Sequence, residues 1–283
     1  MMALALAVAA SGVARGEERW VPALPERVTF RSGDERTELT GYVFRRMPPT
    51  PGRLPAVVMM HGRAGAYSTR AGGRFEASTL SRRHKAWGAI WAQAGYLALL
   101  VDGFGPRGYP AGFPRFSYNS RPAELDEVSV RPLDAFGALA YLRSRGDVQS
   151  DHIGLQGWSN GASAVLSAIA TIQPAAPGFR AALAFYPGCG LKGAWAGRPL
   201  LPPAPTLVLH GSADEEVSAG LCEALVERSR AAGGTLELRL YPGATHSFDS
   251  PDARRQSVPA NAAATGDAVD RSLAFFAQHL KGR

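Results

Sequence analysis

Ser159 lies in the run LQGWSNGASA, residues 155–164, where Gly157, Ser159 and Gly161 spell G-x-S-x-G. A serine at this spacing does chemistry when a strand precedes it and a helix follows. The glycines then leave room for a sharp turn, and the hydroxyl is presented as a nucleophile for acyl transfer. The chain holds 32 glycines, and so short a motif recurs by chance, so the flanking residues must carry the argument. HIGLQGW reads as a strand, and NGASAVLSAIATI reads as a helix whose Ala162 and Ala164 allow close approach to a sheet. The pattern predicts a nucleophilic Ser159.

A serine hydroxyl attacks a carbonyl only when a base removes its proton and an acid orients that base. On strand-turn-helix scaffolds of this kind the order along the chain is serine, acid, histidine. Of the six histidines, His61 and His210 end strands, His152 begins the nucleophile strand, and His84 and His279 fall in helical runs expected at the surface. His246, in YPGATHSFD, follows the last strand on a loop that can reach Ser159, and is the expected general base. The acid is expected at Asp214, where HGSADEEV leaves a strand, with Glu215 and Glu216 solvated or capping the next helix. Asp102 precedes the serine and is read as holding its own loop. The oxyanion of a tetrahedral intermediate needs two N–H donors. The residue after the nucleophile, Asn160, supplies one, and Arg63 in MMHGRAG supplies the other.

These residues need a scaffold that brings strand ends together. From about residue 26 the chain alternates short apolar runs with longer runs of helical period. Two opening antiparallel strands (RVTF, TELTGYVFRR) lead into PAVVMMHG, YLALLVDG, HIGLQGWS, RAALAFYPG, PTLVLHG and LELRLYPG, with helices between most of them. That alternation predicts one α/β domain over residues 17–283 with a mostly parallel sheet. Long loops at 62–80, 103–128 and 244–262 follow strands, so they emerge at the carboxyl edge where ligands bind. The second carries Phe104, Tyr109, Phe113, Phe116 and Tyr118, either packed on one another or lining an apolar pocket.

The remaining composition narrows the function. The net charge is +7, but the 31 basic residues are scattered and nearly all arginine. No basic stripe interleaved with aromatics suits a nucleic acid, so no nucleic-acid partner is expected. Residues 1–16 open with an apolar run and small residues (Ala10-Ser11-Gly12), like a secretory signal segment without its basic start. The run is too short to span a bilayer. A periplasmic or secreted location follows if the segment is a signal, and a cytoplasmic one if it is not. Export would permit a disulfide between Cys189 and Cys222; two buried thiols are the alternative. There is no H-E-x-x-H and no Cys/His cluster, so neither metal nor cofactor is expected.

Taken together, VVMMHGRAG, GYLALLVDGFGPRG, IGLQGWSNGA, AFYPGCG, PTLVLHGSADEEV and YPGATHSFD resemble the dienelactone hydrolase family of the α/β-hydrolase superfamily, over roughly residues 26–281. The resemblance implies the α/β-hydrolase fold and a triad of Ser159, Asp214 and His246. It also implies a Cys189–Cys222 disulfide, as in exported relatives. The founding enzymes carry a cysteine nucleophile where this chain has Ser159, which widens the expected substrate to small carboxylic esters or lactones. Arg107, in GFGPRG, is expected to face a substrate carboxylate, with Phe104 beside it in the substrate pocket. A peptidase of the same fold and a catalytically silent binding protein remain the other readings.

Overall fold

The computed structural model describes residues 24–49, 51–171 and 178–281. The segment read as a secretory signal lies outside the described residues.

Eight strands form one sheet in the order β1-β2-β4-β3-β5-β6-β7-β8. They are β1 (Glu26–Arg31), β2 (Glu38–Phe44), β3 (Leu54–Met60), β4 (Leu97–Asp102), β5 (Val148–Trp158), β6 (Ala181–Phe185), β7 (Thr206–Gly211) and β8 (Leu236–Tyr241). β1 and β2 are antiparallel to their neighbours, as their early position predicts, and β4 through β8 run parallel. Strands β3, β4 and β6 are nearly continuous buried apolar runs because helices cover both faces, whereas β5 is continuously buried only from Ile153 onward. In β3, Ala56, Val58 and Met60 belong to one core, while Val57 and Met59 belong to the other.

Helices α2 (Arg131–Ser144), α3 (Asn160–Thr171) and α4 (Ala219–Ala231) pack on the first face through Leu139, Val165 and Leu225. Helices α1 (Arg82–Gln93) and α6 (Pro259–Leu280) pack on the second through Trp87, Trp91 and Phe276, with the single-turn α5 (Ala253–Gln256) before α6. Local sequence sets these helices. Ser81 caps α1 by accepting the His84 N–H, and Gly95, at φ +81°, takes the left-handed position just past its end. Cys189, just after β6, is bonded to Cys222 of α4. Among the described residues no helix is long and apolar enough to cross a membrane.

Because β3 through β7 are parallel, their carboxyl ends converge on one edge. The three long loops leave the sheet there, after β3, β4 and β8.

Candidate active site

β5 delivers its last residue, Trp158, into a turn so tight that Ser159 adopts φ +52°, a left-handed conformation that non-glycine residues rarely occupy. The flanking glycines make it possible. A Cβ on Gly157 would lie 2.4 Å from the Gly161 carbonyl oxygen, and one on Gly161 would lie 2.2 Å from that of Met60. The turn is held by the Ser159 N–H, which donates to the Phe185 carbonyl of β6 at 2.9 Å.

His246 stands on the loop after β8, and its Nε2 is 3.1 Å from Ser159 Oγ. Its Nδ1 is 2.8 Å from Asp214 Oδ2. Asp214 leaves β7, and its side chain is fully buried. Its second oxygen accepts the backbone N–H groups of Glu216 and Val217, each at 2.9 Å, which fixes the carboxylate plane. The Tyr186 ring meets the His246 ring edge-on at 4.8 Å. Three residues from three strand ends, separated by up to 87 positions, therefore form one hydrogen-bonded series of hydroxyl, imidazole and carboxylate. The turn after β3 approaches from the other side: a Cβ on Gly62 would come within 3.4 Å of the Ser159 Cβ. Among the described residues nothing accepts a hydrogen bond from the Arg63 or Asn160 N–H. Both residues border the cleft beside Ser159.

Of the acidic pair after Asp214, Glu215 is exposed as expected but Glu216 departs from its predicted role. Glu216 is neither solvated nor a helix cap. It receives Arg63 through two bonds of 2.9 and 3.0 Å and Arg115 at 2.6 Å, and it stands 3.8 Å from His246 Nε2. Glu215 accepts the backbone N–H of His246 at 2.9 Å and is paired with Arg115 and Arg255. Burial alone would raise the Glu215 pKa, but the His246 N–H and the two arginines pull it down to about 2. The pair thus clamps the histidine loop and the turn after β3 onto the turn that bears Asp214. Nothing in DEEV signals this, because the partners are 31 to 153 residues away.

Arg107 does not reach the site. Its guanidinium meets Asp134 of α2 at 2.8 and 2.9 Å and the Gly103 carbonyl at 2.7 Å. It anchors the loop after β4, and the expectation that it faces a substrate carboxylate is corrected. Phe104 is likewise inside: it is fully buried, edge-on to His61 at 4.5 Å and beneath the Arg131 guanidinium at 4.9 Å. Phe113 packs on Phe104 and Tyr109, whereas Phe116 and Tyr118 border the Ser159 cleft. Asp102 holds its own loop as expected, accepting the N–H groups of Phe104 and Gly105 and the Tyr67 hydroxyl.

Three buried groups had no clear sequence signal. Asp249, three residues after His246, accepts Trp87, Trp158 and Tyr186 and lies 3.2 Å from Arg83. It fixes the histidine loop to the residue before Ser159. Arg131 of α2 is fully buried and donates to the Asn160 side chain; burial lowers its pKa to about 10. His84, expected at the surface, is 3% exposed and borders the cleft, because its face of α1 turns toward Trp158 at 5.4 Å.

Strand order, the strained turn after β5 and the strand-end residues define an α/β hydrolase. The model of the dienelactone hydrolase family matches residues 39–280, and the chain belongs to that family. A protein of Klebsiella pneumoniae subsp. pneumoniae MGH 78578, assigned as a dienelactone hydrolase, is similar at 20% identity and a TM-score of 0.65, covering 89% of this chain and 99% of its own. A dienelactone hydrolase-like promiscuous phosphotriesterase from metagenomic libraries is similar at 20% identity and TM-score 0.66, over 90% and 97%. A puromycin-hydrolyzing peptidase of Mycobacterium tuberculosis shares 18% identity at TM-score 0.67, over 92% of this chain but 40% of its own. At these identities the likeness is one of fold. No curated protein matches the chain.

Proposed function

We propose that this chain is a serine hydrolase of small carboxylic esters or lactones. The observation that carries the reading is the unbroken series from Ser159 Oγ through His246 to Asp214, at 3.1 and 2.8 Å. In this reading Ser159 attacks the carbonyl carbon as His246 takes its proton. Asp214 orients the imidazole and stabilises its charged form. The Arg63 and Asn160 N–H groups bind the oxyanion. The tetrahedral intermediate collapses to an acyl-enzyme as His246 returns the proton to the departing alcohol. Water, deprotonated by the same histidine, then releases the acid and restores Ser159. The disulfide suits an exported protein.

The test is steady-state hydrolysis of p-nitrophenyl acetate and butyrate by the native protein and Ser159→Ala. A fall in kcat of about a thousandfold or more is expected from loss of a triad nucleophile. Equal rates would sink the reading and favour a binding protein on this fold. Faster cleavage of a matched anilide would favour a peptidase.

A further inference from the structure

Two clefts meet at Ser159. The larger, about 280 Å3, is bordered by His246 and Ser247 together with Ser68, Thr69 and Arg83. The smaller, about 50 Å3, is bordered by Asn160, Ser163 and Val217 and, from the loop after β4, by Phe116, Tyr118 and Arg121. His246 borders the first and not the second. The chemistry of ester cleavage assigns the two. The departing alcohol takes its proton from the histidine, so it must lie in the cleft that His246 borders. The acyl chain then extends the other way, past the Asn160 N–H, into the smaller cleft. A water-sized group needs about 10–15 Å3 of such space, so 50 Å3 holds on the order of four non-hydrogen atoms.

The smaller cleft also has a distinct polarity. Among the described residues Arg121 makes no hydrogen bond and no ion pair within 4 Å, and its Nε and Nη1 are buried without a partner. Its guanidinium lies across the Tyr118 ring at 5.0 Å. Burial lowers its pKa, opposed by Glu127. A guanidinium without a partner is costly to bury, and a ligand oxygen in the cleft that Arg121 borders would be the partner it lacks. Glu127 and Glu216 border the same cleft. With Arg63 also on its wall, the cleft carries two guanidiniums and two carboxylates, so its charges balance and a neutral oxygen is the better match for Arg121.

We propose that the smaller cleft is the acyl site, selecting a short acyl chain that carries a neutral oxygen such as an ether, hydroxyl or keto group, with Arg121 and Tyr118 as specificity-determining residues. This rests on the ester-hydrolase reading above. The larger cleft, rich in hydroxyl side chains, receives the alcohol.

The experiment measures kcat/KM for the p-nitrophenyl esters of butyrate, octanoate and methoxyacetate. Methoxyacetate has the length of butyrate with an oxygen inside the chain. Butyrate is expected to exceed octanoate at least tenfold in the native protein, and Tyr118→Ala to narrow that gap by opening the cleft. The methoxyacetate-to-butyrate ratio is expected to fall at least fivefold in Arg121→Met. Taking the ratio within one preparation cancels any loss of folded protein, and comparing it between the native protein and the variant cancels the intrinsic reactivity of the esters. Octanoate cleaved as well as butyrate, or a ratio unmoved in Arg121→Met, would overturn the acyl-site assignment while leaving the hydrolase reading intact. If the native protein cleaves none of the esters, both fall together.

Discussion

Arg107 and Arg121 belong to the same glycine- and proline-rich loop and have opposite fates. Arg107 finds Asp134, 27 positions away on α2; Arg121 finds no partner among the described residues. A sequence offers no means of telling them apart, because the distinction is made by which helix face passes beneath the loop. Ser159, Asp214 and His246 were readable for the opposite reason. Each sits just past a strand, and strand ends in a parallel sheet converge whatever the side-chain packing. The Arg107–Asp134 pair makes a prediction at this scale. Burial raises the Asp134 pKa and the Arg107 hydrogen bonds oppose it, so removing the arginine leaves a buried carboxylate with, among the described residues, only Ser32 as a side-chain hydrogen-bond partner. Arg107→Ala is expected to lower the unfolding free energy by about 3–5 kcal/mol, the usual effect of breaking a buried pair, without raising KM. Urea unfolding and steady-state kinetics together check it. A raised KM at unchanged stability would return Arg107 to substrate binding.

Between elements, the disulfide joins the turn after β6 to α4, bracketing β7 and the Asp214 turn within a separation of 33 residues. The pairing was implied by family resemblance alone, and two lone cysteines in a sequence leave the bond open. Closing a loop of that size removes unfolded-state freedom, and losing such a bond typically costs about 2–4 kcal/mol. The double variant Cys189→Ala, Cys222→Ala is expected to shift urea unfolding by that amount, and a thiol reductant should bring the native protein to the same curve. Coincident curves for native and double variant would show that the bond adds no stability. The helices themselves were readable to within a few residues, since α1, α3 and α4 each combine apolar spacing with a cap or a flanking glycine. The single-turn α5 falls inside what reads as a long loop, and α6 begins at Pro259, at the end of that loop, because proline is as suited to the first turn of a helix as to a loop.

For the molecule as a whole, the alternation of strand and helix was enough to specify a mostly parallel sheet covered on both faces. It was not enough to show how many polar groups that covering buries. His61 and His84 are two of them. Burial pushes the His61 pKa well down, and brings His84 to about 4 from the ordinary value near 6.5. Between those values the unfolded chain binds a proton at His84 that the folded chain does not, so stability rises with pH across the window and is lost as pH falls from about 6.5 to about 4. Denaturant unfolding at intervals over that range should show the decline, with a shallower slope in His84→Gln. Equal slopes would mean that other groups govern acid sensitivity. The clamp between Arg63 and Glu216 has a consequence for descent. One residue follows β3 and the other β7, yet each neutralises a charge that the other would leave poorly hydrated beside the histidine. A change at either position alone is expected to cost more than a change at both, with Arg115 left to share the glutamate when the arginine goes. Among descendants of a common ancestor the two sites should therefore vary together, so that a lineage which lost the arginine also lost the glutamate, and the turn after β3 and the turn after β7 pass through generations as one heritable unit.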